Sequence, residues 1–209
     1  MNNNLVNHFD RKKPFYPYVV AYALQLQGLR EMVVRGYLGE RKVNNIELVK
    51  SAPNSTQDEI NEHSDFIKKL LGPLKLRSAF QDNDIVIDGN DIAKEVLTHP
   101  SYLLPHFLRA ATSLLVLAHE VTKDKEYRNH DPLWEFLRHC RNAATHNGAF
   151  HFTKAEPRFT AEWGDFIISA NLQGKPLFQN KEKTKGFLSL GDPIRLLWDI
   201  EKAYPQISI

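Results

Sequence analysis

Apolar residues recur at helical spacing over most of this chain, and the runs break at residues that start or stop helices. In "PYVVAYALQLQGLREMVVRGYLG", Val20, Leu24, Leu29, Met32 and Val33 repeat at intervals near 3.6, and Gly36 and Gly39 offer places to end, so a first helix is predicted. "STQDEINEHSDFIKKLLG" opens on Ser55 or Thr56 as a cap, carries acids early and lysines late, and stops at Gly72; this charge order complements the helix dipole. "SYLLPHFLRAATSLLVLAHEVTKD" takes Ser101 as its cap and tolerates Pro105 near the first turn, and its apolar density predicts the most buried helix. "DPLWEFLRHCRNAATHNG" has Asp131 as cap, Pro132 at the first helical position and Asn147-Gly148 as a left-handed exit.

Two short stretches follow a different rhythm. Phe166-Ile167-Ile168 and Leu177-Phe178 flank Gln173-Gly174 and predict a small β-hairpin, after which Asp192 and Pro193 repeat the cap-plus-proline opening of a final helix. In "QDNDIVIDGND" the acids invite a calcium loop, but Ile87 stands where glycine is required and Ala93 where the bidentate glutamate belongs. A strand Ile85-Val86-Ile87, an Asp88-Gly89 turn and Asp91 capping a short helix account for the same residues. The expected fold is mainly α, an up-and-down helical bundle with a small C-terminal β-hairpin and final helix. It is expected as one domain: an arm over 1–17, a helical core over 18–148, and the hairpin and last helix over 149–209 packed on that core.

Composition narrows the function without naming it. The 209 residues are 42% hydrophobic, enough for one core, and 27 Lys plus Arg against 25 Asp plus Glu leave a net charge of +2, so nucleic-acid binding would need a local patch. Cys140 is the only cysteine and forms no intrachain disulfide, which suits a reducing, cytoplasmic setting. The first residues lack the apolar region of a signal peptide, and the apolar stretch from Ala110 to Val121 is too short to cross a bilayer, so no membrane partner is expected. Phe15, Tyr16 and Tyr18 beside Lys12 and Lys13 are expected to pack the arm against the body rather than to stack on nucleic acid.

The chemistry concentrates in "EFLRHCRNAATHNGAFHF". On a wheel of about 100° per residue, Leu133, Phe136, Leu137, Cys140, Ala143 and Ala144 share one face. Glu135, Arg138, His139, Asn142, Thr145 and His146 share the other, with Trp134 and Arg141 on the border. A metal site built from His139, Cys140, His146 and His151 is disfavoured: His139 and His146 stand two turns apart, about 10 Å along the axis, whereas a zinc-bound nitrogen lies about 2 Å from the metal. A Cys140-His139 nucleophile pair fails because adjacent helical residues do not face each other and a buried thiol is inert. No cofactor is expected.

The order Arg141-Asn142-x-x-x-His146 at the end of an amphipathic helix resembles the signature of the HEPN superfamily, and the following Asn147-Gly148 strengthens the likeness. The resemblance covers roughly residues 18–148 and leaves 149–209 as an elaboration. It implies metal-independent cleavage of RNA by a toxin or defence effector, with a cognate antitoxin as a partner. Arg141, His146 and Asn142 would be catalytic, Arg138 and His139 would bind RNA, and Glu120 would be the acidic residue that such domains often carry on an earlier helix. The residue types suit that chemistry. RNA supplies its own nucleophile, the 2'-hydroxyl beside the scissile phosphate, and histidine can take or give a proton near neutral pH, which makes His146 the candidate base or acid. A guanidinium such as Arg141 presents a planar fork to the phosphate, and Asn142 could bond the phosphate or orient the imidazole. The expected products are a 2',3'-cyclic phosphate and a 5'-hydroxyl.

Arg141 and His146 diverge by about 140° on an ideal helix. Either the helix loosens at His146 or a second protomer completes the site, and the resemblance implies a homodimer with motifs facing across a twofold axis. The alternative function is a helical binding module that uses the same face to hold a protein or nucleic-acid partner without cutting it.

Overall fold

A computed structural model describes residues 9, 11–38, 73–77, 85–99, 101, 103–125, 128–153, 157–178 and 186–207, with only the backbone of 34–38 and 90. The helix expected over 55–72 lies outside the described residues. The fold is mainly α, with two small antiparallel hairpins and a final helix. Among the described residues, no single helix is long and apolar enough to cross a membrane.

The chain forms two compact units, one of Met1–Gln27 with Leu104–Ile209 and one of Gly28–Leu103. Residues 149–209 thus share a unit with the arm, the start of helix α1 (Tyr16–Leu38) and the helices that precede them. In the second unit, strands β1 (Leu74–Leu76) and β2 (Ile85–Ile87) pair with Leu74 opposite Ile87 and Leu76 opposite Ile85. Helix α2 (Gly89–Thr98) follows, with the Asp88 carbonyl accepting from the Ile92 N–H at 3.2 Å. Asp91 sits in the first turn of α2, where a negative charge meets the dipole, rather than at its cap.

In the first unit, α1 buries Phe15, just before its start, with Val19 and Tyr22, a stripe at i, i+4 and i+7. The sequence pattern favoured Val20 and Leu24 instead, yet Leu24 is 67% exposed. The Tyr22 hydroxyl explains the choice, because it donates to the Leu190 carbonyl at 2.9 Å and so can enter the core with its polar atom satisfied. Phe15 enters the core with Tyr16 and Tyr18 packed against it, as expected of these aromatics, while Phe9 stacks on Trp198 at 5.7 Å and Lys13 Nζ donates to the Pro205 carbonyl at 3.1 Å.

Helix α3 (Leu103–Thr122) contributes Ala111, Leu114, Leu115 and Ala118 to the core, and α4 (Pro132–Thr145) contributes Trp134, Phe136, Leu137, Cys140 and Ala143. The most buried helix is therefore α4, with half of its length enclosed, and not α3. Two residues assigned to the polar face of α4, Glu135 and His139, are also buried, at 3% and 7% exposure. The chain beyond α4 covers them.

That following chain differs most from expectation. Strands β3 (Glu162–Trp163) and β4 (Phe166–Ile167) close around a two-residue Gly164-Asp165 turn, with Gly164 at φ 56°. Leu177 and Phe178 do not join this hairpin. The Leu177 N–H donates to the Gly148 carbonyl at 2.8 Å, and Phe178 bridges Leu188. Gln173-Gly174 leaves a 3-10 turn over Ala170–Leu172, and Gly174 at φ 74° sends the chain back beneath the exit of α4. The nearer turn wins because it closes the shorter loop with a Gly-Asp pair suited to hairpins. Helix α5 (Asp192–Ala203) ends the unit, capped at Gly191 with Asp192 one position inside, and Trp163 Nε1 donates to Asp199 Oδ2 at 2.9 Å, tying β3 to α5.

Candidate functional site

Helix α4 is begun and ended by the residues its sequence singles out. Asp131 Oδ1 accepts from the Leu133 N–H at 3.0 Å, and Pro132 removes a donor that would lack a partner. At the other end the helix closes at Thr145, and His146 leaves helical geometry with φ −101° and ψ 59° while its N–H still donates to the Asn142 and Ala143 carbonyls. Asn147 at φ 57° and Gly148 at φ 74° complete the left-handed exit. The helix does loosen at His146.

One stripe of α4, Glu135, Arg138, His139 and Asn142 with His146 beyond, lines an open cleft of about 440 Å³. Those positions follow the i, i+3, i+4, i+7 rule for a single helical face. The facing wall is the chain that the exit turns back: His151, Phe152, Thr153, Pro157, Arg158 and Phe159, with His130 at one end. The exposed rings of His146 and His151 lie 5.3 Å apart. Gln173 steadies His151 from behind: its Oε1 accepts from the Phe152 N–H at 2.7 Å, which turns its Nε2 toward His151 Nδ1 at 3.5 Å.

Charges in the cleft are largely paired. Glu135 accepts from Arg138 Nε at 2.7 Å, and from Nη2, through Oε2, and from His130 Nδ1 at 3.0 Å through Oε1. Burial opposes ionisation of Glu135, but the Arg138 and His130 bonds outweigh it, and its carboxyl is held below the usual range. His139 faces the ring of Phe152 at 5.6 Å. Its Nε2 receives Arg138 Nη2 at 3.1 Å, so the ring is a neutral acceptor with its proton on Nδ1, and burial followed by the Arg138 charge lowers its pKa to about 4. His139 therefore anchors Arg138 more than it offers itself to a ligand. Burial raises the Cys140 thiol well above its ordinary value, which leaves it inert.

Arg141 is not among the described residues that line the cleft. It lies about 100° around the helix from Asn142 and turns toward α3, where its Nη2 meets Glu120 Oε1 at 2.6 Å. Its Nη1 donates to Asn142 Oδ1 at 3.3 Å, so Asn142 connects the arginine to the cleft. Glu120 also binds Lys123 Nζ at 2.8 Å, and the Lys123 and Arg141 bonds lower its pKa to about 2. Behind it His119 is pushed down to about 4 by burial and by the charges of Arg128 and Arg141. The structure thus brings Arg138, His139, Asn142 and His146 to one cleft and places Arg141 on Glu120 beside it.

Sequence reasoning missed His130, Arg158 and Phe159, and weighed His151 only as a metal ligand. The one signal for His151 was its place five residues beyond His146 across an Asn-Gly reversal, which returns the chain alongside the helix. Among the described residues, no three His, Cys, Asp or Glu side chains gather where they could hold a metal ion. No protein-family model, curated protein or solved structure matches the chain.

Proposed function

We propose that this protein is a metal-independent RNA endonuclease that uses the 2'-hydroxyl of its substrate as the nucleophile. The observation that carries this reading is the pair of exposed imidazoles, His146 and His151, with ring centroids 5.3 Å apart in a cleft that also holds Asn142 and the guanidiniums of Arg138 and Arg158. Cleavage by internal transesterification needs two proton transfers and charge stabilisation at phosphorus. One imidazole accepts the 2'-hydroxyl proton as that oxygen bonds to phosphorus, and the other protonates the departing 5'-oxygen. The products are a 2',3'-cyclic phosphate and a 5'-hydroxyl. Asn142 can donate its amide to a non-bridging phosphate oxygen, because its Oδ1 is already turned toward Arg141.

Arg141 fits the reading through a second copy of the chain. Held by Glu120 outside its own cleft, it is available to a site shared across a twofold axis, so a homodimer belongs to the proposal. A role as a cytoplasmic toxin or defence effector, restrained by a cognate antitoxin, rests on the HEPN resemblance carried by Arg141, Asn142 and His146. A second reading, a helical binding module that does not cut, is favoured by one observation: Arg138 and Arg141 are both already paired with carboxylates. Exposure of single-stranded RNA to the purified protein in excess EDTA, with analysis of the new ends, separates the two.

A further inference from the structure

At the end of the cleft nearest the start of α4, His130 is held in an unusual way for an exposed ring. Its side chain is 68% exposed, yet its edge and one face are both fixed. Nδ1 donates to Glu135 Oε1 at 3.0 Å, and Glu135 is itself buried and clamped by Arg138. One face of the imidazole lies on Phe159 with ring centroids 3.9 Å apart and planes 13° from parallel, and Arg158 sits 5.1 Å from the same Phe159 ring. An exposed side chain ordinarily loses rotamer freedom only when something orders it. Here the ordering is already present in the free protein, on a ring that lines the cleft and keeps most of its surface exposed.

We infer that His130 is a stacking platform for a nucleobase of single-stranded RNA. The inference rests on the ribonuclease reading and adds to it where a neighbouring nucleotide goes. Proteins that grip single strands stack bases on aromatic or imidazole rings while basic groups follow the backbone. Arg138 shares Glu135 with this ring, Arg158 lies over the Phe159 ring on which it stacks, and both guanidiniums line the same cleft. His146 lies eleven positions beyond Glu135, about 16 Å at the helical rise per residue. The base on His130 therefore belongs to a nucleotide flanking the cut and not to the reacting sugar. A ring ordered before binding needs no further ordering when the base arrives, which favours affinity.

The test uses a short single-stranded oligonucleotide with 2'-O-methyl groups throughout, so that binding is read without cleavage, and with the fluorescent base 2-aminopurine placed at each position in turn. Wild-type protein should quench one position strongly through stacking. His130→Ala should abolish that quench and weaken binding about tenfold or more, the usual effect of removing a stacking partner. His130→Phe, which keeps the ring and loses only the Glu135 bond, should retain most of both. An abasic residue at the quenched position should weaken wild type by a similar factor and leave His130→Ala unaffected. Equal quenching by wild type and His130→Ala, or no binding of the oligonucleotide by wild type, would overturn the platform. Cleavage of unmodified RNA is followed in parallel. A quench that depends on His130 in a protein that does not cut RNA would remove the ribonuclease reading and support the platform, whereas cleavage without that quench would do the reverse.

Discussion

His139 and His119 enter the folded protein neutral, each with its pKa lowered from the ordinary 6.5 to about 4, chiefly by burial. The unfolded chain binds protons on both as pH falls below 6.5, while the folded chain resists until about 4. Their contribution to stability should therefore be nearly constant above pH 6.5 and decline steadily from there to about 4, because the unfolded state then holds more protons. Glu135, with its pKa lowered, adds to the loss at the acidic end. For His139 alone a shift of that size corresponds to roughly 3 kcal/mol. Urea midpoints across this range should fall toward acid in wild type and fall less in His139→Gln, which keeps an acceptor for Arg138 and cannot become charged. An unchanged acid slope in that variant would show that His139 is not held neutral. The burial behind these shifts was not legible in the helix wheel. The wheel ranks positions by residue type, and it placed Glu135 and His139 outside because polar groups usually are. What encloses them is a wall that includes residues 151–153 and 157–159, and their bonds to Arg138 and His130 offset the cost of that enclosure.

Helix α4 was readable end to end because its boundaries are local chemistry: Asp131 bonds the Leu133 N–H two residues on, and Asn147 and Gly148 need only their own positive φ. Asp131→Ala removes that cap and should lower stability by about 1 kcal/mol, measured as a smaller urea midpoint with an unchanged slope. A loss under about 0.3 kcal/mol would mean that Pro132 and the buried face of α4 set its start without the cap. The hairpin was legible as an element but not in register. Phe166 and Ile167 were rightly taken as strand, and their partner lies across Gly164-Asp165 rather than Gln173-Gly174. Both pairs are good turn formers; the shorter loop favours Gly164-Asp165, and Leu177 and Phe178 pack elsewhere. The same limit hid half of the cleft. His146 could be found from the helix it ends and His151 from its place just across the Asn-Gly reversal, but His130, Arg158 and Phe159 join the cleft only through tertiary structure and share no spacing that a motif could capture.

In the first compact unit taken whole, the position of Arg141 makes the reading of the site more specific. Within one chain it turns to Glu120 on α3 and leaves the cleft to Arg138, Asn142 and the two histidines. If a partner's cleft receives it, activity belongs to the dimer. Mixing wild type with Arg141→Ala, His146→Ala double mutant at fixed total concentration, with subunit exchange verified by mass, should then reduce total activity as the square of the wild-type fraction. A straight line would place a complete site in each chain. Both outcomes presuppose the central claim, that paired imidazoles in this cleft cut RNA without a metal. Its most direct test is incubation of single-stranded RNA in excess EDTA with wild type, His146→Ala and His151→Ala, each shown to be folded, followed by analysis of the ends. The account predicts 2',3'-cyclic phosphate and 5'-hydroxyl ends from wild type, with the rate falling by about 100-fold or more in each variant, the usual worth of a positioned acid or base. Intact RNA with folded wild type, cleavage that needs added metal, or undiminished cleavage by both variants would contradict it.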